Sequence, residues 1–311
     1  MIPTNTTKMT SIFGVIAVAV LFVAPSFASR YLLQILLTIV LYVQLVTAWN
    51  ILSGFTGYLF LGVAAFYGIA GYAYAIVSLE IPYFVAIPVV GMLCFVISYA
   101  IGMVLLRIRG PYFAIASYAL VLLFANVVLY YEQTYSRVTG RVVSILPVST
   151  TYTVLLGVAI ATIVVAYLIK RSKFGYGLSY IKGNEDLANV VGINVARYKC
   201  LAFGISAFFI GMATAAIIPR GGYIDTTVVF APTISFNTLV MGVVGGLGSI
   251  RGGVLSAVLF SLLFELFGTR ANPYPLFVFM GVLLMVVIFY FPRGIEGVIA
   301  RVTSARGEQA S

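Results

Sequence analysis

The sequence of 311 residues is 62% hydrophobic and only 8% charged, with a formal net charge of +10. A soluble globular domain carries about 25% charged residues, so 8 acidic and 18 basic side chains cannot cover two water-soluble domains. The composition excludes a soluble enzyme, an intrinsically disordered chain and a disulfide-rich secreted module, and it indicates an all-α polytopic membrane protein. The absence of histidine also excludes imidazole metal sites and histidine-based acid–base catalysis.

Ten apolar segments are candidates for crossing the membrane. A hydrocarbon core about 30 Å thick needs roughly 20 apolar residues in a helix. Charged residues, proline or glycine separate the segments, which are 11–28, 31–49, 60–79, 83–106, 111–131, 151–169, 201–218, 236–249, 253–269 and 274–291. We expect one transmembrane domain over 1–300, including a polar cytoplasmic loop at 170–200, and a polar cytoplasmic tail over 301–311.

Lysine and arginine are distributed unevenly between the two sides of this ten-span arrangement. With both termini in the cytoplasm, 13 of them face inward and 5 outward. The outward set is Arg30, Arg137, Arg141, Arg220 and Arg270. We therefore expect cytoplasmic termini, and we attribute the positive net charge to basic cytoplasmic loops rather than to nucleic-acid binding.

Two segments leave an alternative open. Segment 236–249 has 14 residues, and it spans the membrane fully only if its helix begins near Ala231. Its glycines also allow a broken helix that spans half the membrane. Segment 11–28 is also compatible with a signal peptide cleaved after Ala28, although Lys8 is a lone positive charge before it.

The polar loop predicts a short helix outside the membrane. Asn184 is a suitable N-cap, and Glu185 and Asp186 suit the positive end of a helix dipole. Gly192 suits helix termination, so we expect an amphipathic helix over about 185–191. A helix of two turns is marginal in water and must pack against the membrane surface, the chain's own loops or a cytosolic partner.

This helix lies in a segment with a family resemblance. Residues 182–192, followed by Ile193, Asn194 and Lys199, resemble the cytoplasmic coupling loop of branched-chain amino acid ABC transporter permeases of the LivM type. The chain departs from that pattern at Gly183 and Leu187, where the family often has Glu and Ala.

Three further segments agree in the same order along the chain. Residues 57–69 resemble the G-Y-x-S-L-G-H-A-A-F-x-G-I signature, with Phe60 and Val63 in place of Ser and His. Residues 107–115 resemble R-x-R-G-x-Y-F-A-I, and 235–257 resemble S-I-x-x-L-x-M-x-x-x-G-G-x-G-S. Each motif alone is weak evidence. Four motifs in the same order make the probability of a chance resemblance very small.

The resemblance implies a permease subunit of an ATP-driven importer that works by alternating access. It implies a second permease subunit in a heterodimer, two cytosolic ATPases and an extracytoplasmic solute-binding protein. This chain is then no enzyme and holds no cofactor, because ATP is bound by the ATPases. The residues expected to couple to the ATPases are Lys182, Asn184, Glu185, Asp186, Ala188 and Gly192. Branched-chain or other hydrophobic amino acids are the expected substrates, and the family also admits urea and short amides.

Small and polar residues in the apolar runs can serve either helix packing or transport. One set allows close helix contact or lines the pathway: Gly57, Gly62, Ala65, Gly68, Gly245, Gly246 and Gly248. Glu265 is an acid well inside an apolar run, either functional or paired locally with Arg270. Four polar residues are interpreted as helix contacts: Asn50, Asn126, Ser235 and Asn237. Trp49 is expected at the membrane interface.

Two other classes of protein remain as alternatives. An ion-coupled secondary transporter is expected to show paired intramembrane acids, or broken helices at matching points of two repeats. The sequence shows one such acid and no clear repeat. A membrane-embedded enzyme needs a polar catalytic cluster, against which the missing histidine and the scattered acids argue.

Overall fold

A computed structural model of the chain describes residues 21–23, 25, 27–137, 139–268, 278, 281, 282, 285 and 294–297. Over these residues the fold is helical, with two strands of two residues each. The α-helices are Arg30–Trp49 (α1), Val63–Val77 (α2), Tyr83–Leu105 (α3), Pro111–Tyr131 (α4), Val148–Arg171 (α5), Lys173–Gly183 (α6), Glu185–Val190 (α7), Val195–Ile217 (α8), Thr226–Val229 (α9), Pro232–Gly245 (α10) and Ile250–Gly268 (α11). Two π-helical turns, Asn50–Gly54 and Glu132–Ser136, extend α1 and α4, and a 3-10 turn, Ile218–Arg220, follows α8.

Six helical stretches in the described residues are long and apolar enough to cross a membrane. They are Arg30–Gly54, Tyr83–Leu105, Pro111–Tyr135, Val148–Arg171, Val195–Arg220 and Thr226–Gly245. The prediction of an all-α polytopic membrane protein is therefore confirmed. The predicted segments 11–28 and 274–291 lie largely outside the described residues, so the count of ten spans stays a prediction.

Two predicted spans have different bounds in the structure. Segment 60–79 contains a helix of only 15 residues, α2, which is about 22 Å long. Gly62 precedes it as the N-cap, and the chain from 57 to 62 is not helical. Helix α10 begins at Pro232 with Ala231 as N-cap, as the full-span alternative for 236–249 requires. Together with α9 it forms the 20-residue apolar stretch.

The polar stretch 170–200 is mostly helical rather than a loop. Helix α6 was not predicted, because Gly175 and Gly177 lower helix propensity in an already polar segment. The structure uses both glycines for close contact: a side chain at Gly175 would meet the backbone of Ile169, and one at Gly177 would meet the Tyr198 ring. Helix α6 therefore packs directly against the end of α5 and the start of α8.

Helix α8 lies at the centre of the bundle, and α4 lies at its edge. The most apolar part of Val195–Arg220 is 78% buried, against 17% for Pro111–Tyr135. Gln44 of α1 joins this centre by donating from Nε2 to Phe209 O of α8 at 2.6 Å and to Thr162 Oγ1 of α5 at 3.2 Å.

The expectation that Trp49 lies at the membrane interface is wrong. Its side chain is fully buried, and its Nε1 donates to Phe60 O at 2.7 Å. The ring also fills the space left by Gly242, where an added Cβ would lie 2.6 Å from Trp49 Cε3. Tryptophan is amphipathic and suits an interface, but a buried carbonyl partner satisfies the indole N–H equally well.

The bundle has two distinct ends. Helix α4, about 30 Å long, runs from the α6–α7 end to the end where two short strands pair. There Arg141↔Ile224 and Val142↔Tyr223 are antiparallel partners. We call the first the α7 end and the second the strand end.

Candidate functional site

Helix α7 is capped at both ends, as predicted. The Asn184 side chain accepts hydrogen bonds from the backbone N–H groups of Asp186 at 2.9 Å and Leu187 at 3.2 Å. Gly192 has φ +88, which an L side chain rarely adopts. Its N–H donates to Asn189 O at 3.0 Å, and the next N–H donates to the carbonyl of Ala188 at 3.0 Å. These bonds form a Schellman motif, and the helix ends at Val190.

Glu185 anchors the inner face of α7 to two other parts of the chain. Its Oε1 lies 3.0 Å from Lys199 Nζ at the start of α8, and its Oε2 lies 3.2 Å from Arg109 Nε before α4. The Tyr58 hydroxyl, before α2, donates to the same carboxylate at 2.5 Å. The side chain of Glu185 is 13% exposed. The carboxylate thus has two cations and one hydroxyl as partners, which offsets the cost of partial burial.

Lys199 makes further hydrogen bonds that fix the cluster of Glu185, Arg109 and Tyr58 to the bundle. Its ammonium, only 4% exposed, also donates to Leu106 O at 2.9 Å and to the Tyr58 hydroxyl at 2.9 Å. It lies 4.4 Å from the centre of the Tyr58 ring. Burial raises the pKa of Tyr58, and the hydrogen bond to Glu185 raises it further. The phenol therefore stays protonated and serves as a donor to the carboxylate at neutral pH.

The outer face of α7 is apolar and uncovered by the described residues. Leu187, Val190 and Val191 are 63%, 84% and 71% exposed. By contrast, Ala188 on the inner face is 1% exposed. The loops that the structure describes therefore cover only the polar and small face of this helix, and they leave its apolar face open to another surface.

Lys182 connects α6 to the π-helical end of α1 and to the glycine-rich turn after α10. Its Nζ donates to Gly54 O at 2.9 Å and to Leu247 O at 3.3 Å, and Lys170 Nζ donates to Gly248 O at 3.0 Å. Burial lowers the pKa of Lys182, and the nearby Lys170 lowers it further. The two ammonium groups hold the glycine-rich turn after α10 against the α5–α6 corner.

Asn50 holds the same turn from the π-helical end of α1. Its Oδ1 accepts from Gly248 N at 3.2 Å, and its Nδ2 donates to Ser249 O at 3.4 Å. Gly248 has φ +85, and a Cβ there would lie 2.9 Å from Gly54 O. Only glycine fits this backbone conformation beside another backbone.

The other predicted small residues also lie at close contacts. A side chain at Gly245 would lie 2.6 Å from the backbone of Gly252, so α10 and α11 touch backbone to backbone. A side chain at Gly68 would overlap the Phe230 ring. Ala65 is fully buried. Three more glycines have positive φ or close neighbours: Gly57, Gly62 and Gly246. Helix packing accounts for these positions, and a role in the pathway stays a prediction.

Two of the three remaining predicted helix contacts join separate helices. Ser235 Oγ accepts from Ala64 N at 2.9 Å, which links α10 to α2. Asn237 Nδ2 donates to the Tyr42 hydroxyl at 3.1 Å, which links α10 to α1. The interpretation of Asn126 is wrong in detail, because its Nδ2 donates to a carbonyl of its own helix at 2.7 Å.

Among the carboxylates away from α7, Glu265 and Glu132 lie in or directly after an apolar run. Glu265, half-buried on α11, lies near the Tyr31 hydroxyl, and its expected partner Arg270 lies outside the described residues. Sequence reasoning missed Glu132, which is 2% exposed at the end of α4. Its Oε1 accepts from Gly140 N at 3.1 Å, and its Oε2 has no hydrogen-bond partner among the described residues. The sequence feature that could have identified Glu132 is its position directly after an apolar run.

Sequence reasoning also missed that the motif segments meet at α7. Tyr58, Arg109 and Lys199 each lie in a segment that carries the family resemblance, yet none was expected to contact Glu185. Membership of these motifs is the sequence feature that could have identified the three residues as functional. Their meeting point depends on how α2, α4 and α8 are arranged in space.

Comparisons with known proteins show which family the sequence resembles. A family model described as branched-chain amino acid transport system / permease component matches residues 31–289. The chain is 24% identical over 339 residues to the Escherichia coli (strain K12) high-affinity branched-chain amino acid transport system permease protein LivM, covering 95% of this chain and 78% of that protein. It is also 24% identical over 329 residues to LivM of Salmonella typhimurium (strain LT2), covering 92% of this chain and 76% of that protein.

Proposed function

This chain belongs to the family of branched-chain amino acid transport system permeases, and from that membership we propose that it is the transmembrane permease subunit of an ATP-driven importer. As a multi-pass plasma-membrane protein it is a transport subunit and not an enzyme. The proposed substrates are branched-chain or other hydrophobic amino acids. In this proposal the bundle has about ten spans, both termini are cytoplasmic, and the α7 end faces the cytosol.

The observation that carries the proposal is the division of α7 into two faces. Glu185 and Ala188 attach it to the bundle, while Leu187, Val190 and Val191 stand exposed. A six-residue helix has little stability of its own. Two caps and a set of ion pairs fix its position without using its apolar side chains, which leaves them available to a cytosolic ATPase.

The same contacts explain how an ATPase moves the spans. Force on α7 passes through Glu185 to Lys199 at the start of α8, Arg109 before α4 and Tyr58 before α2. Closure of an ATPase pair on binding ATP then displaces several helices together. The proposed cavity opens alternately to the two sides of the membrane as the helices rock.

The remaining proposed partners follow from the family membership. A second permease subunit completes the pathway, in a heterodimer, and two ATPases dock at the α7 end. An extracytoplasmic solute-binding protein delivers substrate at the strand end. Since the spans carry few charges, we assign substrate selectivity mainly to that binding protein.

Co-purification of ATPase subunits tests the docking face. The variant Val190→Asp places a charge on the exposed face of α7, where Val190 is 84% exposed and its loss removes no core contact. Val142→Asp is the matched control, because Val142 is 80% exposed at the strand end. We expect ATPases to co-purify with the parent chain and with Val142→Asp, and to be lost from Val190→Asp.

Two results would contradict the proposal. One is full ATPase recovery and full uptake with Val190→Asp. The other is accumulation of solute by the chain reconstituted alone in vesicles, which would indicate an ion-coupled transporter instead.

A further inference from the structure

A cavity of about 630 Å³ lies beside α7, between the end of α3 and the first turn of α8. Pockets for small ligands are typically about 300–1,000 Å³. Asn189 and Glu185 border it on the α7 side, whereas Leu187, Val190 and Val191 do not line it. The cavity is therefore separate from the proposed ATPase docking face.

The polar wall of the cavity is strongly basic. Four cations line it, Arg107, Arg109, Arg197 and Lys199, against the single carboxylate of Glu185. Lys199 and Arg109 already pair with Glu185, and Arg109 also pairs with Asp186. The wall therefore holds more positive charge than its own acid neutralises.

Two of these arginines have no acidic partner among the residues that the structure describes. Arg107 donates from Nε to Met103 O at 3.1 Å, which leaves both of its terminal NH₂ groups free of recorded protein acceptors. Neither Arg107 nor Arg197 forms an ion pair with any residue that the structure describes. A guanidinium offers several donors in a planar fork that suits a phosphate. The unneutralised charge therefore points to an anion of that kind.

The other wall of the cavity is apolar and continues along α3. Met103 and Tyr99 line the cavity, and Val96 and Met92 extend the same row at helical spacing toward the strand end. Met92, Val96 and Met103 are 56%, 59% and 52% exposed. A free phosphate gains nothing from such a row, whereas a ligand with hydrocarbon chains fits both walls at once.

We propose that this cavity binds the phosphate headgroup of an anionic phospholipid, with its acyl chains along the α3 row. Basic pockets between helices at the membrane surface are suited to such headgroups. The bound phosphate contacts Arg107 and Arg197 and lies beside Arg109, which pairs with Glu185. Binding of the lipid does not depend on the proposed function, whereas an effect of the lipid on ATPase coupling rests on it.

Lipid titration of the purified full chain tests this site. Native mass spectrometry in detergent compares phosphatidylglycerol with phosphatidylcholine, and glycerol 1-phosphate and inorganic phosphate serve as headgroups without chains. We expect preferential binding of phosphatidylglycerol, weakened about 30-fold in Arg107→Gln/Arg197→Gln, since each arginine contributes roughly a fivefold gain near anionic lipid. The free phosphates should compete only weakly.

Matched variants separate the site from general charge. Arg171→Gln/Arg251→Gln removes two exposed arginines at the α7 end that do not line the cavity, and it should bind as the parent does. Arg107→Lys/Arg197→Lys keeps both charges but loses the planar fork, so its affinity should lie between those of the parent and the glutamine variant, which also separates loss of charge from a folding defect.

Three results would overturn the proposal. The first is equal binding of the two lipids. The second is equal weakening by the two glutamine double variants, which would show only surface electrostatics. The third is free phosphate that binds as tightly as the lipid, which would assign the cavity to a soluble anion.

Discussion

Replacing Lys199 with methionine tests whether the ion-pair cluster holds α7 in place. The ammonium is 4% exposed and donates to Glu185, Tyr58 and Leu106 O. Removing one partner of a buried pair costs about 3–5 kcal/mol. Glu185 is 13% exposed and keeps Arg109, itself 61% exposed, as a partner. We therefore expect the lower end of that range, about 3 kcal/mol, or roughly 6 °C in melting temperature.

The two free cysteines provide the assay. Cys94 and Cys200 are both buried, so a thiol-reactive fluorogenic dye labels them only on unfolding. Cys200 adjoins the substituted residue, and the measurement is therefore made in a Cys200→Ala background in which Cys94 alone reports. Lys173→Met, which removes an exposed lysine at the same end, is the control and should melt as the parent does.

A second substitution separates charge from packing. In Glu185→Gln/Lys199→Met the carboxylate is also gone, so no charge is left without its buried partner, and part of the lost stability should return. A single Lys199→Met variant that melts within about 1 °C of the parent would refute the reasoning. It would mean that α7 is held by its caps and backbone alone.

Two further predictions concern the glycine-rich turn and its neighbours. Gly245→Ala places a methyl group 2.6 Å from the Gly252 backbone and should cost about 1–3 kcal/mol in the thiol-labelling assay. Gly157→Ala, which has open space around it, should leave the stability unchanged or raise it. Equal effects of the two substitutions on stability would contradict the close contact between Gly245 and Gly252. The NMR titration of ¹³C-dimethylated Lys182 should show a pKa below the ordinary 10.5, rising in Lys170→Gln; no rise would exclude that neighbour as a cause. Because the folded chain releases this proton first, stability should increase with pH between the lowered pKa and 10.5.

Local signals in the sequence were sufficient for α7. Its caps depend on Asn184 and Gly192, which act on backbone groups within three or four residues. The apolar runs predicted most of the long helices in the same way, because each run is bounded by proline, glycine or charge. Both kinds of signal concern neighbours in the chain, and the structure confirms them.

The sequence did not show which helices are central. In a membrane protein the lipid-facing and core-facing sides are both apolar, so α4 and α8 have similar hydropathy, 2.1 and 2.2, although one is mostly exposed and the other mostly buried. The same ambiguity misplaced Trp49, which is buried rather than interfacial. Hydropathy measures preference for an apolar environment and does not distinguish lipid from protein.

The contacts of α6 and α7 indicate which parts of the bundle move together. Lys182 binds the turns at Gly54 and Leu247, while Glu185 binds Lys199 and Arg109. Both attachments lie on the same short helical unit, so a push on α7 displaces both.

At the far side of that turn, α10 and α11 meet backbone to backbone at Gly245 and Gly252. Glycine at both positions lets the two backbones approach closely, and near this contact Ser256 Oγ of α11 donates to Met241 O of α10 at 2.6 Å, so the two helices are joined here. We therefore expect the α6–α7 unit to move as one body with the starts of α4 and α8, and to carry the joined α10–α11 pair through the turn that Lys182 binds at Leu247. Gly245→Ala, which crowds this contact, should then lower uptake while ATPase co-purification is retained, and full uptake by this variant would contradict the assignment.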